Sequence, residues 1–141
     1  MRVLINVDGG SRGNPGPAAG GFVVRAADDG TVLREGGVFL GVATNNVAEY
    51  NGLLAGLKAA AELGATQVEV ASDSELLVRQ LNGQYRVKND KLKPLFAQAL
   101  TLKQKFAQCT FRHVYREENS HADRLANRAM DARRNVDGEL D

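Results

Sequence analysis

The chain has 141 residues, 43% of them apolar and 25% charged, with a formal net charge of +1. That is the size and balance of one globular domain with a real core, and it excludes a disordered or fibrous chain. No apolar run is long enough to span a membrane, and the N-terminal stretch is too short for a signal peptide. With Cys109 alone there is no internal disulfide, so a reducing, cytoplasmic location is expected.

Val3-Leu4-Ile5-Asn6-Val7 reads as a strand over residues 2–7 and runs into Asp8. A cluster of small and turn-forming residues follows, Gly9 to Pro17. Gly21 to Ala26 reads as a second strand, Asp29-Gly30 as a hairpin signal, and Thr31 to Leu40 as a third strand. The period then changes: Val47, Tyr50, Leu54, Leu57 and Ala61 form a helical apolar stripe, and Gly64 stops it. Gln67 to Ala71 is a short strand and Ser74 to Leu81 a short helix. A further helix is expected from about Lys91 to Phe106, with Pro94 tolerated in its first turn. Thr110 to Tyr115 is the fifth strand and Ser120 to Arg133 the last helix. Strands separated by helices join in parallel through right-handed crossovers. The expected fold is therefore α/β: a mixed five-stranded sheet, three antiparallel strands then two parallel, with helices on both faces. Residues 1–134 form the domain. Residues 135–141 lose all periodicity and read as a flexible tail or the start of a linker.

Four acids sit at strand ends or in first helical turns, and each has an innocent explanation. Asp8 suits a turn, and Glu49 suits a capping box with Asn46. Asp73 suits a cap, and Asp123 suits the positive end of a helix dipole. Together they read differently. Ligand sites in open α/β sheets lie beyond the strand ends. Asp8 and Asp73 would end adjacent strands if the first and fourth strands pair. Glu49 lies about 160° around its helix from the apolar stripe. Converging carboxylates repel one another unless a cation lies between them. Oxygen donors alone suit Mg²⁺ or Mn²⁺, and the lack of a His/Cys cluster argues against zinc. Two such ions on shared carboxylates are a known arrangement for phosphodiester hydrolysis.

Asp8-Gly9-Gly10-Ser11 with Gly13-Asn14-Pro15-Gly16-Pro17, Thr44-Asn45-Asn46-Val47-Ala48-Glu49, Ser72-Asp73-Ser74 and Glu118-Asn119-Ser120-His121-Ala122-Asp123 occur in series. In order and spacing this series resembles type 1 ribonuclease H in its compact bacterial and archaeal form. The likeness covers about residues 2 to 132. It implies a ribonuclease H-like fold and an endonuclease cutting the RNA strand of an RNA/DNA hybrid, leaving 3′-hydroxyl and 5′-phosphate ends. It implies Asp8, Glu49, Asp73 and Asp123 as the catalytic quartet holding two Mg²⁺ or Mn²⁺ ions. It places Asn14, Asn45 and Asn46 against the minor groove, where amides can sense the 2′-hydroxyl. Thr44 would grip a phosphate of the DNA strand, and Ser74 and Arg116 would also face substrate. Nothing demands more than a monomer, and the chain suits either a whole protein or one domain of a longer one.

Two departures stand out. Many members carry a histidine in a loop before the fourth acid, but here Arg116-Glu117-Glu118-Asn119 follows the strand directly. His113 shares a strand face with Cys109 and Phe111 and reads as a satisfied, partly buried histidine. His121 does not match the family position. Cys109 reads as a small apolar residue. The segment Asn82 to Lys93 is too short for the lysine-rich protrusion of larger relatives. Between Arg79 and Lys105 seven basic residues face one acid, Asp90, with Tyr85 as an aromatic neighbour. Sugar kinases and actin-like ATPases share a related sheet but need a second lobe. Junction resolvases and integrases share the acids but not Thr44-Asn45-Asn46, and a non-catalytic hybrid-binding module would be free to lose an acid. If the basic strip grips a hybrid, log affinity falls against log salt with a slope of about −3 or steeper. Filter binding across a salt series measures it, and a flat series removes the strip from binding.

Overall fold

Alternation decides the first strand. In β1 (Arg2–Ser11) Val3, Ile5 and Val7 are fully buried on one face, while Asn6 and Asp8 point to the other. The computed structural model describes residues 1–138. β2 (Gly16–Ala26) and β3 (Val32–Ala43) continue an antiparallel meander from β1. Helix α1 (Asn45–Glu62) leads to β4 (Gln67–Ser72), then α2 (Glu75–Leu81) and α3 (Lys93–Lys103). β5 (Gln108–His113), a 3₁₀ turn over Arg116–Asn119 and α4 (Ser120–Ala132) complete the fold. The sheet order is β3-β2-β1-β4-β5, with β4 parallel to β1 and β5 parallel to β4. This is the expected α/β architecture.

Helices cover both faces. Val3, Ile5 and Val7 pack with Leu53 and Leu57 of α1, Leu77 of α2 and Leu102 of α3 in the main core. α4 covers the opposite face, with Leu125 against Val23 and Ala129 against Ala19. A pattern of alternating burial in β1 and of apolar stripes in the helices produces this two-sided packing.

The Gly-rich segment differs most from expectation. β1 runs on to Ser11 and β2 begins at Gly16, so most of the supposed turn is paired sheet. The turn proper is closed by Arg12 N–H donating to Pro17 O at 2.8 Å. The glycines are there because two helices press on the strands. A Cβ on Gly9 would lie 2.4 Å from the backbone of Ala48 and Glu49, and one on Gly21 would lie 2.2 Å from Ala122 O. A Cβ on Gly52 of α1 would lie 2.5 Å from Asp8 O. Elsewhere the boundaries shift modestly. α3 is shorter than the 91–106 expected, and β5 ends at His113 rather than Tyr115.

The segment expected to be a free tail from Asn135 is tied down at its start. Val136 is buried and exchanges backbone hydrogen bonds with Gly37 at 2.8 and 2.9 Å, while Asn135 Oδ1 accepts from Phe39 N–H. One apolar residue next to an edge strand suffices for this, and periodicity cannot register a single residue. The rest of that expectation, residues 139–141, lies outside the described residues.

Gly9→Ala must push α1 off β1, because the clash is with backbone. The expected loss is about 1–3 kcal/mol, read from chemical denaturation. Unchanged stability would mean that α1 slides freely on the sheet.

Candidate active site

Parallel pairing sets Val7 beside Ser72, so Asp8 and Asp73 leave adjacent strands side by side. Gly9, next in β1, lets the first turns of α1 come close and brings Glu49 to the same end of the sheet. Gly21 is the cross-strand partner of Asp8, and the first turn of α4, which carries Asp123, rests on it. All four predicted acids therefore gather at one end. Asp8 is buried, Glu49 and Asp73 are half-buried, and Asp123 is exposed at the rim.

The innocent explanations fail for two of them. α1 is capped by Thr44, whose Oγ1 accepts from Val47 N–H at 3.3 Å, so Asn46 and Glu49 form no capping box. α2 is capped by Ser74, whose Oγ accepts from Leu77 N–H, and not by Asp73. Asp123 does lie in the first turn of α4.

The electrostatics follow from burial and crowding. Burial, then the charge of Asp73, then contact with Asp123 push the Asp8 carboxyl from its ordinary 3.8 up to about 9. Burial raises Glu49 from 4.5 to about 7, partly offset by a hydrogen bond from Ser74 and reinforced by Asp73. Asp73 thus acts on both neighbours. Among the described residues no three acidic, His or Cys side chains close into a cage. A hard cation such as Mg²⁺ binds through one or two carboxylates and fills its octahedron with waters and phosphate oxygens. An open set of oxygen donors, with Asp8 and Glu49 both pushed up by burial and by the charge of Asp73, fits such a cation.

The other predicted residues sort into two groups. Asn14, Thr44 and Asn45 come together. Asn45 N–H donates to Asn14 Oδ1 at 3.1 Å, and Asn45 Oδ1 accepts from Ser11 N–H and Oγ at 2.8 and 3.0 Å. This latch ties the turn after β1 to the start of α1. Asn46 is exposed beside it. Ser74 holds Glu49 and caps α2, and Arg116 opens the exposed 3₁₀ turn before α4. His113 corrects the sequence reading: it is exposed, not partly buried, because β5 ends there, and its ring meets Tyr115 edge-on at 5.8 Å. His121 contacts Glu35 and Arg25. Burial pushes the Cys109 thiol up to about 11, as suits an inert apolar residue.

In the basic strip Arg79 pairs with Glu75 and stacks over Tyr85 at 5.2 Å, and Lys93 pairs with Asp90. Arg86, Lys88, Lys91 and Lys105 are exposed. Sequence reasoning missed Asn119. It is 1% exposed, its Nδ2 donates to Val7 O at 2.7 Å and to Asp73 Oδ1 at 3.4 Å, and only its burial beside an acid betrays it.

Known proteins resemble this chain in sequence and fold. The profile of a family described as "Reverse transcriptase-like" matches residues 6–129. The bifunctional protein Rv2228c of Mycobacterium tuberculosis is 53% identical over 132 residues, which is 94% of this chain and 36% of that protein. The solved N-terminal RNase H domain of that protein superposes with a TM-score of 0.91 at 52% identity, covering 94% of this chain and 95% of that one. RNase H1 of the archaeon Halobacterium salinarum superposes at 0.90 with 43% identity, over 94% and 99% of the two chains. LC11-RNase H1, solved in complex with an RNA/DNA hybrid, gives 0.87 and 41%, over 93% and 98%.

The raised Asp8 pKa has a testable sign. Between about pH 3.8 and 9 the folded chain holds a proton on Asp8 that the unfolded chain has lost. The stability this group contributes is full below the lower limit and is lost as pH rises through the window. In chelator, Asp8→Asn should stabilise the protein at pH 7 by at least about 1 kcal/mol. The gain should shrink towards pH 4. Thermal melts across pH measure it, and a destabilised Asp8→Asn at pH 7 contradicts the electrostatic account.

Proposed function

Because this chain belongs to the type 1 ribonuclease H family, we propose that it is a metal-dependent endonuclease that hydrolyses the RNA strand of RNA/DNA hybrids. The products would carry 3′-hydroxyl and 5′-phosphate ends. The observation that carries the reading is the seating of Asp8, Glu49 and Asp73 at one end of the sheet, with burial and mutual repulsion raising two of their pKa values. The complex of LC11-RNase H1 with an RNA/DNA hybrid supports the choice of substrate.

Asp8, Glu49, Asp73 and Asp123 are the residues that would hold two Mg²⁺ or Mn²⁺ ions. Bound there, the ions would supply an activated water and a stabilised leaving oxygen. The chain's own residues do the rest. Asp8 and Asp73 offer oxygens from adjacent rigid strand ends, and Ser74 keeps Glu49 turned towards them. The Asn14–Asn45 latch fixes the turn and the helix start as one unit, so that with Asn46 their amides can meet a minor groove. Thr44 uses a lone pair on the Val47 N–H, which leaves its O–H to donate to a phosphate of the DNA strand. Arg116, exposed at the mouth, offers a guanidinium to a phosphate. All of these groups come from one chain, so the site is complete in a monomer. No described helix is long and apolar enough to cross a membrane, and a cytoplasmic enzyme is proposed.

The test is an end-labelled RNA/DNA hybrid beside RNA duplex, DNA duplex and single-stranded RNA, each with Mg²⁺, Mn²⁺ or chelator. Metal-dependent cutting of RNA in the hybrid alone is expected. Asp8→Asn should lose at least about 100-fold, because even partners that merely orient metal ligands are worth 10–100-fold. Normal cutting by Asp8→Asn would sink the site. Salt-sensitive binding with no cutting would make the chain a hybrid-binding module.

A further inference from the structure

A chain of polar contacts crosses the α4 face of the sheet and ends at the acid cluster. It starts on the edge strand β3, where Glu35 Oε2 lies 2.6 Å from His121 Nε2. On the other side of that ring, Nδ1 lies 2.6 Å from an Arg25 guanidinium nitrogen on β2. Arg25 then donates to Asn6 Oδ1 on β1 at 3.4 Å. Asn6 Nδ2 donates to Asn119 Oδ1 at 3.1 Å and to Glu118 O at 3.3 Å. Asn119 Nδ2 donates to Val7 O and to Asp73 Oδ1.

The donor and acceptor roles are forced from one end. Arginine has donors only, so Nδ1 of His121 must accept, which leaves the ring hydrogen on Nε2, the nitrogen beside Glu35. Asn6 turns its oxygen to Arg25 and therefore its NH₂ to Asn119. That fixes Asn119 with its own NH₂ towards Asp73. A flipped Asn119 would set an amide oxygen against a carboxylate oxygen. Asn6 is 7% exposed and Asn119 1%, so neither amide can exchange these partners for water without cost. His121 stands two residues before Asp123 in the same helical turn, so the contacts that fix His121 also seat Asp123.

We infer that Arg25, held between His121 and Asn6, is a positioning residue for the acid cluster. Through Asn6 and Asn119 it orients Asp73, and through His121 it seats the turn that carries Asp123. This inference rests on the proposed function for its catalytic consequence, but not for its metal-binding one. Groups that orient metal ligands from behind typically control affinity or activity by 10–100-fold.

The test titrates Mn²⁺ into the full chain by calorimetry, for the wild type, Arg25→Met, Arg25→Lys and Arg34→Met. Arg34 pairs with Glu62 at the surface and serves as the control. Arg25→Met should bind Mn²⁺ about 10–100-fold more weakly, while Arg34→Met should not change. Lysine keeps the charge but cannot span both partners, so Arg25→Lys should also weaken binding, and it decides the matter if Arg25→Met does not fold. Hybrid affinity in chelator should be unchanged in both Arg25 variants. Wild-type Mn²⁺ affinity in a folded Arg25 variant overturns the inference, whatever its melting temperature, because a merely structural network would move only the latter. A wild type that binds Mn²⁺ but cuts no hybrid removes the proposed function and leaves this comparison decisive. A wild type that binds no Mn²⁺ overturns both.

Discussion

The close approach of two helices to two adjacent strands is the constraint on which the rest depends. Asp8 sits where α1 presses on β1 from one face and α4 presses from the other on Gly21, the cross-strand partner of Asp8 in β2. Neither approach tolerates a side chain: Gly9 and Gly52 admit α1, and Gly21 admits the first turn of α4. Side chains at these positions would collide with the backbone packed against them and hold both helices further from the sheet. Glu49 and Asp123 would then stand too far from Asp8 to act with it. The glycines are therefore part of the site although they carry no chemistry.

That compression works against electrostatics. Burial and the neighbouring carboxylates make Asp8 hard to ionise, and Asp73 is the charge that both Asp8 and Glu49 feel. The fold tolerates this through the strand that carries Asp8. β1 is central, paired on both sides. The hydrophobic core under Val3, Ile5 and Val7 holds the strand in register whatever the acids do. A site of this kind trades local stability for a concentrated set of oxygen donors, and under the proposed function the affinity it would gain is for a small, highly charged cation.

The mixed sheet, its strand directions and the placing of the four acids at element ends were legible because they leave periodic or punctuating signals: β-alternation in residues 3–7, the helical stripe from Val47 to Ala61, and acids where one period gives way to the next. The glycines were legible as residues but not in their meaning. A turn and a tight helix–strand contact demand the same residue, and only the packing partner, absent from any local window, distinguishes them. The strand therefore ran on to Ser11 where a turn was expected. Asn119 and Asn6 were invisible for a related reason. A buried amide is read by its partners, and those partners lie 112 or 113 residues away in sequence. His113 was misjudged because alternation gives the face of a strand but not where the covering helices stop.

Under the proposed function, the grip on substrate would depend on the basic residues around the stretch between α2 and α3. The stretch between α2 and α3 has no helix of its own, and two of its neighbouring cations are engaged in ion pairs, Arg79 with Glu75 and Lys93 with Asp90. Exposed pairs of this kind are weak and are readily exchanged for a phosphate. The basic strip is therefore a diffuse attractor, suited to drawing a polyanion in without fixing its register. Under the proposed function, register would come from rigid groups close to the acids: Thr44 and Asn45 at the start of α1, the helix that carries Glu49, and Asn14, which accepts from Asn45 N–H. A single rigid element would then set both the position of the hybrid and one of the acids proposed to act on it. Under the proposed function, selection of the strand and placement of the scissile bond would become one geometric event.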